Sequence, residues 1–136
     1  MRFVVLILML LAAPSAWAQS TSDTAAIRSV IGQQIEAFRK DDATAAFSFA
    51  APNIREIFQT ESIFMRMVAR GYQPVYRPRD VQFGELAEVE GVPTQTVELI
   101  GPDGAAYTAL YSMERQPDGS WKIAGCQIVV SQKVSS

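Results

Sequence analysis

Gly71-Tyr72-Gln73-Pro74-Val75-Tyr76-Arg77-Pro78-Arg79-Asp80 divides the chain into two kinds of apolar pattern. Before this stretch apolar residues recur every three or four positions, as on one face of a helix; after it they alternate, as on one face of a strand. Gly71 is suited to the left-handed conformation that ends many helices, and Pro74 and Pro78 fix their own φ and bias the preceding residues toward extended backbone. The stretch therefore reads as a helix stop and a stiff, extended lead into a sheet. Helices first and strands second predict an α+β fold.

Upstream, Ile27, Val30, Ile31, Ile35 and Phe38 share one face of an amphipathic helix over 23–40, with Glu36 and Lys40 as an i,i+4 pair. Asp41-Asp42 breaks that pattern, and Asp42 is placed to cap a short helix over 43–50 with Ala43, Ala46, Phe47 and Ala50 on its apolar face. An acidic pair can also hold a metal, but capping accounts for it at a helix junction. Pro52 opens a short turn over 54–58, and Thr60 caps a last helix over 61–70 that turns Ile63, Phe64, Met67 and Val68 inward.

Downstream, four strands are predicted over 80–89, 94–100, 105–115 and 120–131. Pro102-Asp103-Gly104 and Pro117-Asp118-Gly119 mark two hairpin turns. The alternation slips phase at Gly84 and again at Gly125, which is how a β-bulge reads in sequence. Two bulges in an antiparallel meander bend the sheet, so the expected architecture is a cone: helices on the concave face of about four curved strands, with a pocket between the layers.

The first residues read as an export signal. Arg2 is followed by an apolar run over 3–13, a Pro14 break and Ala16-Trp17-Ala18, which suits cleavage after Ala18. The run is shorter than the ~20 residues that span a bilayer. The expected domains are a signal peptide over 1–18 and one α+β domain over 19–136, its core about 23–131, residing in the periplasm or outside the cell, with no stable membrane anchor after cleavage. The remaining 118 of the 136 residues hold 11 Lys and Arg against 14 Asp and Glu. A balance that close to neutral argues against nucleic acid as a partner. The single cysteine, Cys126, has no partner for an internal disulfide and is expected in the core.

Several blocks together resemble an exported bacterial family classed as a domain of unknown function, number 4864. They are Gln34 to Phe38 with Asp41-Asp42, Phe49 to Ile54, Met67 to Tyr72, Arg77 to Gly84, and Trp121 to Gly125. That family is similar in layout to the nuclear transport factor 2-like, or cystatin-like, superfamily. The resemblance implies that superfamily's cone but no activity, because members range from isomerases and dehydratases to non-catalytic binding modules. A third reading, by the same analogy alone, is a homodimer through the sheet face.

The chain contains no histidine, which removes the usual general base of hydrolase triads and the commonest transition-metal ligand. Neither a phosphate-cradling glycine loop nor a cysteine pair is present, so no cofactor and no metal site are expected. For acid–base work the candidates are Glu98 and Glu114, with Tyr111 and Tyr107 close in sequence, although strand alternation can equally turn both carboxylates to solvent. Arg66, Arg70, Arg77 and Arg79 are candidates for holding an anion, and Tyr72, Tyr76 and Trp121 for lining a pocket mouth or a dimer contact. The function expected is a non-catalytic module that binds a small apolar or anionic molecule or a protein partner; the alternative is an isomerase or lyase using a pocket carboxylate or tyrosine.

Overall fold

The computed structural model describes residues 21–131, so the expected export segment, Met1 to Ala18, lies outside the described residues. Five helices precede four strands: α1 (Thr21–Arg39), α2 (Ala43–Ser48), α3 (Pro52–Phe58), α4 (Glu61–Gly71), α5 (Gln73–Tyr76), then β1 (Asp80–Val89), β2 (Val92–Ile100), β3 (Ala106–Arg115) and β4 (Trp121–Val130). The strands form one curved antiparallel sheet in the order β1-β2-β3-β4, confirming the α+β architecture.

The helix ends follow from local chemistry. Asp42 accepts the Ala45 amide at 3.1 Å and Thr60 accepts the Ile63 amide at 3.2 Å, each satisfying a donor that the first turn leaves free. α1 buries Ile27, Ile31, Ile35 and Phe38 against the layers behind it. At about 1.5–3 kcal/mol per buried side chain, that stripe is a principal stabilising contact of the fold. The link between α2 and α3 joins the sheet edge: Ile123 donates to the Phe49 carbonyl and Ala51 donates to the Ile123 carbonyl, both at 2.8 Å. Helices and sheet are thus fastened by backbone as well as by packing.

Both bulges form where the phase slips. The β1–β2 register shifts between Phe83 and Leu86, and the β3–β4 register shifts opposite Gly125, between Ser112 and Met113. A buried polar knot secures the first. Gln95, fully enclosed, donates its amide to the Gly84 carbonyl at 2.9 Å and to the Thr96 carbonyl at 2.8 Å, while Arg28 reaches the Gly84 carbonyl at 3.0 Å.

The dividing stretch is built differently from its sequence reading. Gly71 is the last residue of α4 and does not adopt positive φ; the chain leaves the helix through Tyr72, at φ −132°. Residues 73–76 then form another helical turn, because the fixed φ of Pro74 suits a first turn as well as it suits extended backbone. The extended lead begins only after Arg77, where Arg79 donates to the Ile100 carbonyl at 2.8 Å. Two further differences are local. β2 begins at Val92, because Glu90 and Gly91 both take positive φ and close a two-residue turn. Ile63 faces outward and is 48 % exposed, while Phe64 and Val68 carry the inward face of α4.

Candidate functional site

An apolar cavity of about 300 Å³ lies between the helices and the middle of the sheet. Its helical wall is Ile54, Ile57 and Phe58 of α3, Phe64, Met67 and Val68 of α4, Tyr72, and Val75 of α5; α1 adds Gln34 and Phe38, and the sheet supplies Tyr111, Gly125 and Cys126. The wall has a rigid side and a soft one. Phe64 is the hub of the rigid side, its ring 6.2 Å from Phe38, 5.3 Å from Phe47 and 5.8 Å from Phe58 in tilted or edge-on contacts that favour ring pairing. Met67 and the 69 % exposed Ile57 form the other side.

The second bulge shapes the floor. Tyr111 and Cys126 are direct partners across β3 and β4, one position from Ser112 and Gly125, where the register shifts. Tyr111 is 1 % exposed, and its hydroxyl, closed to water, lies against the Cys126 thiol without a hydrogen bond of ordinary geometry. Burial raises its pKa well above the usual phenol range. Cys126 is half-buried as a residue, and burial pushes its thiol up to about 12, with the neighbouring Tyr111 pulling weakly the other way. Such a thiol stays protonated at physiological pH and is a poor nucleophile. No lining residue is an Asp, Glu, Lys or Arg.

The residues singled out in sequence are scattered around this cavity rather than gathered in it. Tyr111 and Tyr72 line it. Glu98 is exposed on the outer side of the sheet, accepting the Thr108 hydroxyl at 2.9 Å and lining a separate shallow depression with Asp80 and Gln82. Glu114 is exposed near the β3–β4 turn, where its carboxylate meets the Gln116 amide at 3.2 Å. Tyr107 donates its hydroxyl to Asp103 at 2.6 Å beside the β2–β3 turn. Trp121 is packed at the far end of β4 with its indole N–H unpartnered, and the Arg115 guanidinium lies 5.6 Å from its ring centre.

The four arginines do not converge. Arg77 is committed to architecture: it pairs with Asp41 at 2.8 Å, lies 4.0 Å from the Tyr76 ring centre, and donates to the Phe38 carbonyl at the end of α1. Tyr76 donates its hydroxyl to the same carboxylate, and that bond first, with Arg77 second, holds Asp41 below the usual carboxylate range. Arg66, Arg70 and Arg79 are exposed and none of them lines the cavity. Among the described residues, no three His, Cys, Asp or Glu side chains stand close enough to hold a metal ion.

The family description for a domain of unknown function, DUF4864, matches the chain over residues 20–136. The chain belongs to that family. Neither the curated proteins nor the solved structures compared with it gave a match. The DUF4864 span covers every element that builds the cavity, so α1 to β4 form one family unit.

Sequence reasoning missed most of the lining. Gln34 was legible in principle, since it shares the inward stripe of α1 with Ile27, Ile31 and Phe38. It is buried, and its amide donates to the Ala46 carbonyl at 3.1 Å. Ile57 and Phe58 belong to a seven-residue helix with no buried residue of its own, so no periodicity announces them.

Proposed function

We propose that this DUF4864 domain is a non-catalytic binding module whose inter-layer cavity takes one small apolar molecule. The observation that carries the reading is an aromatic and aliphatic cavity whose volume falls at the lower end of ligand sites, with no carboxylate in its lining. At ~30 Å³ per water-sized unit it admits about ten non-hydrogen atoms. The same lining speaks against an anionic ligand inside the cavity, since a buried charge without a partner is expensive. Glu98 and Glu114 are not among its lining residues and each lines a separate depression.

The module works outside the cytoplasm. The apolar leader and the Ala16-Trp17-Ala18 cleavage pattern support export, and the family span begins at residue 20, just past that cut.

Native mass spectrometry of protein purified from an exporting host tests both points together. The expected result is a chain lacking Met1 to Ala18 that carries a small neutral adduct. Met67→Trp, which fills the cavity, should lose the adduct while keeping its helical and sheet spectrum. A protein with no adduct that takes up no small apolar probe refutes the binding role; an uncleaved chain refutes export.

A further inference from the structure

Only two enclosed side-chain polar atoms among the described residues have no hydrogen-bond partner, the Tyr111 hydroxyl and the Trp121 indole N–H. Trp121 stands outside the cavity and Tyr111 within its lining. A buried hydroxyl without a partner is costly, so an occupant that could meet it would gain more there than at any solvated group. A protonated phenol and a protonated thiol are both donors, and burial keeps the Cys126 thiol protonated up to about 12. The Gln34 amide is already engaged with the Ala46 carbonyl. The Tyr111 hydroxyl is therefore the donor at this end that has no acceptor of its own.

Resting on the cavity as the binding site, we propose that its ligand is an uncharged lipophilic molecule bearing a carbonyl acceptor, a ketone, ester or quinone oxygen, to which Tyr111 donates. An acid of the same shape is rejected, because Arg66, Arg70 and Arg79 lie outside the lining and Arg77 is bound to Asp41. A pure hydrocarbon fits but leaves Tyr111 unpaired. Because the hydroxyl is closed to water, an acceptor reaches it only after the shielding side chains shift, and then competes with no hydration shell.

Three near-isosteric probes separate these cases: acetophenone, cumene and benzoate, titrated calorimetrically into protein purified from an exporting host and into its Tyr111→Phe variant. Acetophenone should bind the unaltered protein and lose about tenfold in affinity on Tyr111→Phe, the worth of one buried hydrogen bond. Cumene should bind both alike, and benzoate should bind at least about tenfold more weakly than acetophenone. Independently of any variant, the infrared carbonyl band of bound acetophenone should move to lower frequency than in hydrocarbon solvent.

If cumene binds while acetophenone ignores Tyr111→Phe and its band does not move, the carbonyl inference falls and the cavity reading stands. Benzoate binding as tightly as acetophenone also overturns the inference alone. If none of the three binds, both readings fall.

Discussion

Replacing Gln95 by Met tests whether the β1 bulge is held by its buried amide or merely accompanied by it. Methionine keeps the length and most of the volume of the side chain but donates nothing. In the structure the amide makes two short bonds, to the Gly84 carbonyl at 2.9 Å and the Thr96 carbonyl at 2.8 Å, and a longer one to the Glu85 carbonyl at 3.4 Å. The two short bonds are worth about 1 kcal/mol each, and an enclosed carbonyl stripped of this donor adds about 1 kcal/mol more. Part of the cost is offset because Arg28 still reaches the Gly84 carbonyl at 3.0 Å. Gln95→Met should therefore cost about 2–3 kcal/mol, or roughly 10 °C in Tm for a domain of this size. Urea unfolding followed by far-UV circular dichroism gives the number directly as a shift in midpoint at constant slope. Arg28→Met alone should cost about 1 kcal/mol, and the double variant should exceed the sum of the two, since Gly84 then loses both donors. A loss below about 0.5 kcal/mol for Gln95→Met, or simple additivity in the double variant, would show that sheet packing sets the bulge and that the amide only follows it.

Three further outcomes are expected. At pH 8 the Cys126 thiol, pushed up to about 12, should react with Ellman's reagent about a thousandfold more slowly than free cysteine, because its thiolate is that much scarcer; a comparable rate in the folded protein would contradict its enclosure beside Tyr111. Raised by folding, this thiol stabilises the native state fully below its unfolded value of about 9, and the contribution is lost as the pH climbs from there toward 12. Asp41 has the opposite sign: its folded pKa is lowered by Tyr76 and Arg77, so its contribution is present above about pH 4 and disappears on acidification through the lowered value. Asp41→Asn should flatten that acid limb in thermal melts, and an unchanged limb would remove the carboxylate from the α1–α5 junction. Thr60→Ala removes the cap of the helix that carries Phe64, Met67 and Val68, and differential scanning calorimetry should show a loss of about 1 kcal/mol; no change would mean the Ile63 amide has another acceptor.

The elements of this fold were legible because each has a local cause that sequence records. Asp42 and Thr60 cap the helices they were expected to cap, and the two phase slips at Gly84 and Gly125 are the two register shifts of the sheet. Where the reading failed, one residue type served two geometries. Pro74 fits a first helical turn and an extended strand lead equally, and the choice was made by the Tyr72 carbonyl, which accepts the Val75 and Tyr76 amides. The arginines failed for another reason. Their spacing along the chain is close, but Arg77 turns back to Asp41 across the end of α1, while Arg66 and Arg70 turn to solvent.

The cavity belongs to a third category, since its wall is assembled from four helices and two strands and no stretch of sequence carries it. What sequence does carry is the cause of the gap. Gly125 sets a phase slip into β4, the slip bends the sheet beneath α3 and α4, and a bent sheet cannot meet straight helices along their whole length. The phenylalanines close one side of the resulting space through Phe64, leaving the other to Met67 and Ile57. The floor is Tyr111, and there phenylalanine would fill the same space without leaving a hydroxyl unpaired. An acceptor that reached this hydroxyl would meet a group the fold leaves unpaired, which is why Tyr111→Phe separates a carbonyl ligand from a hydrocarbon one.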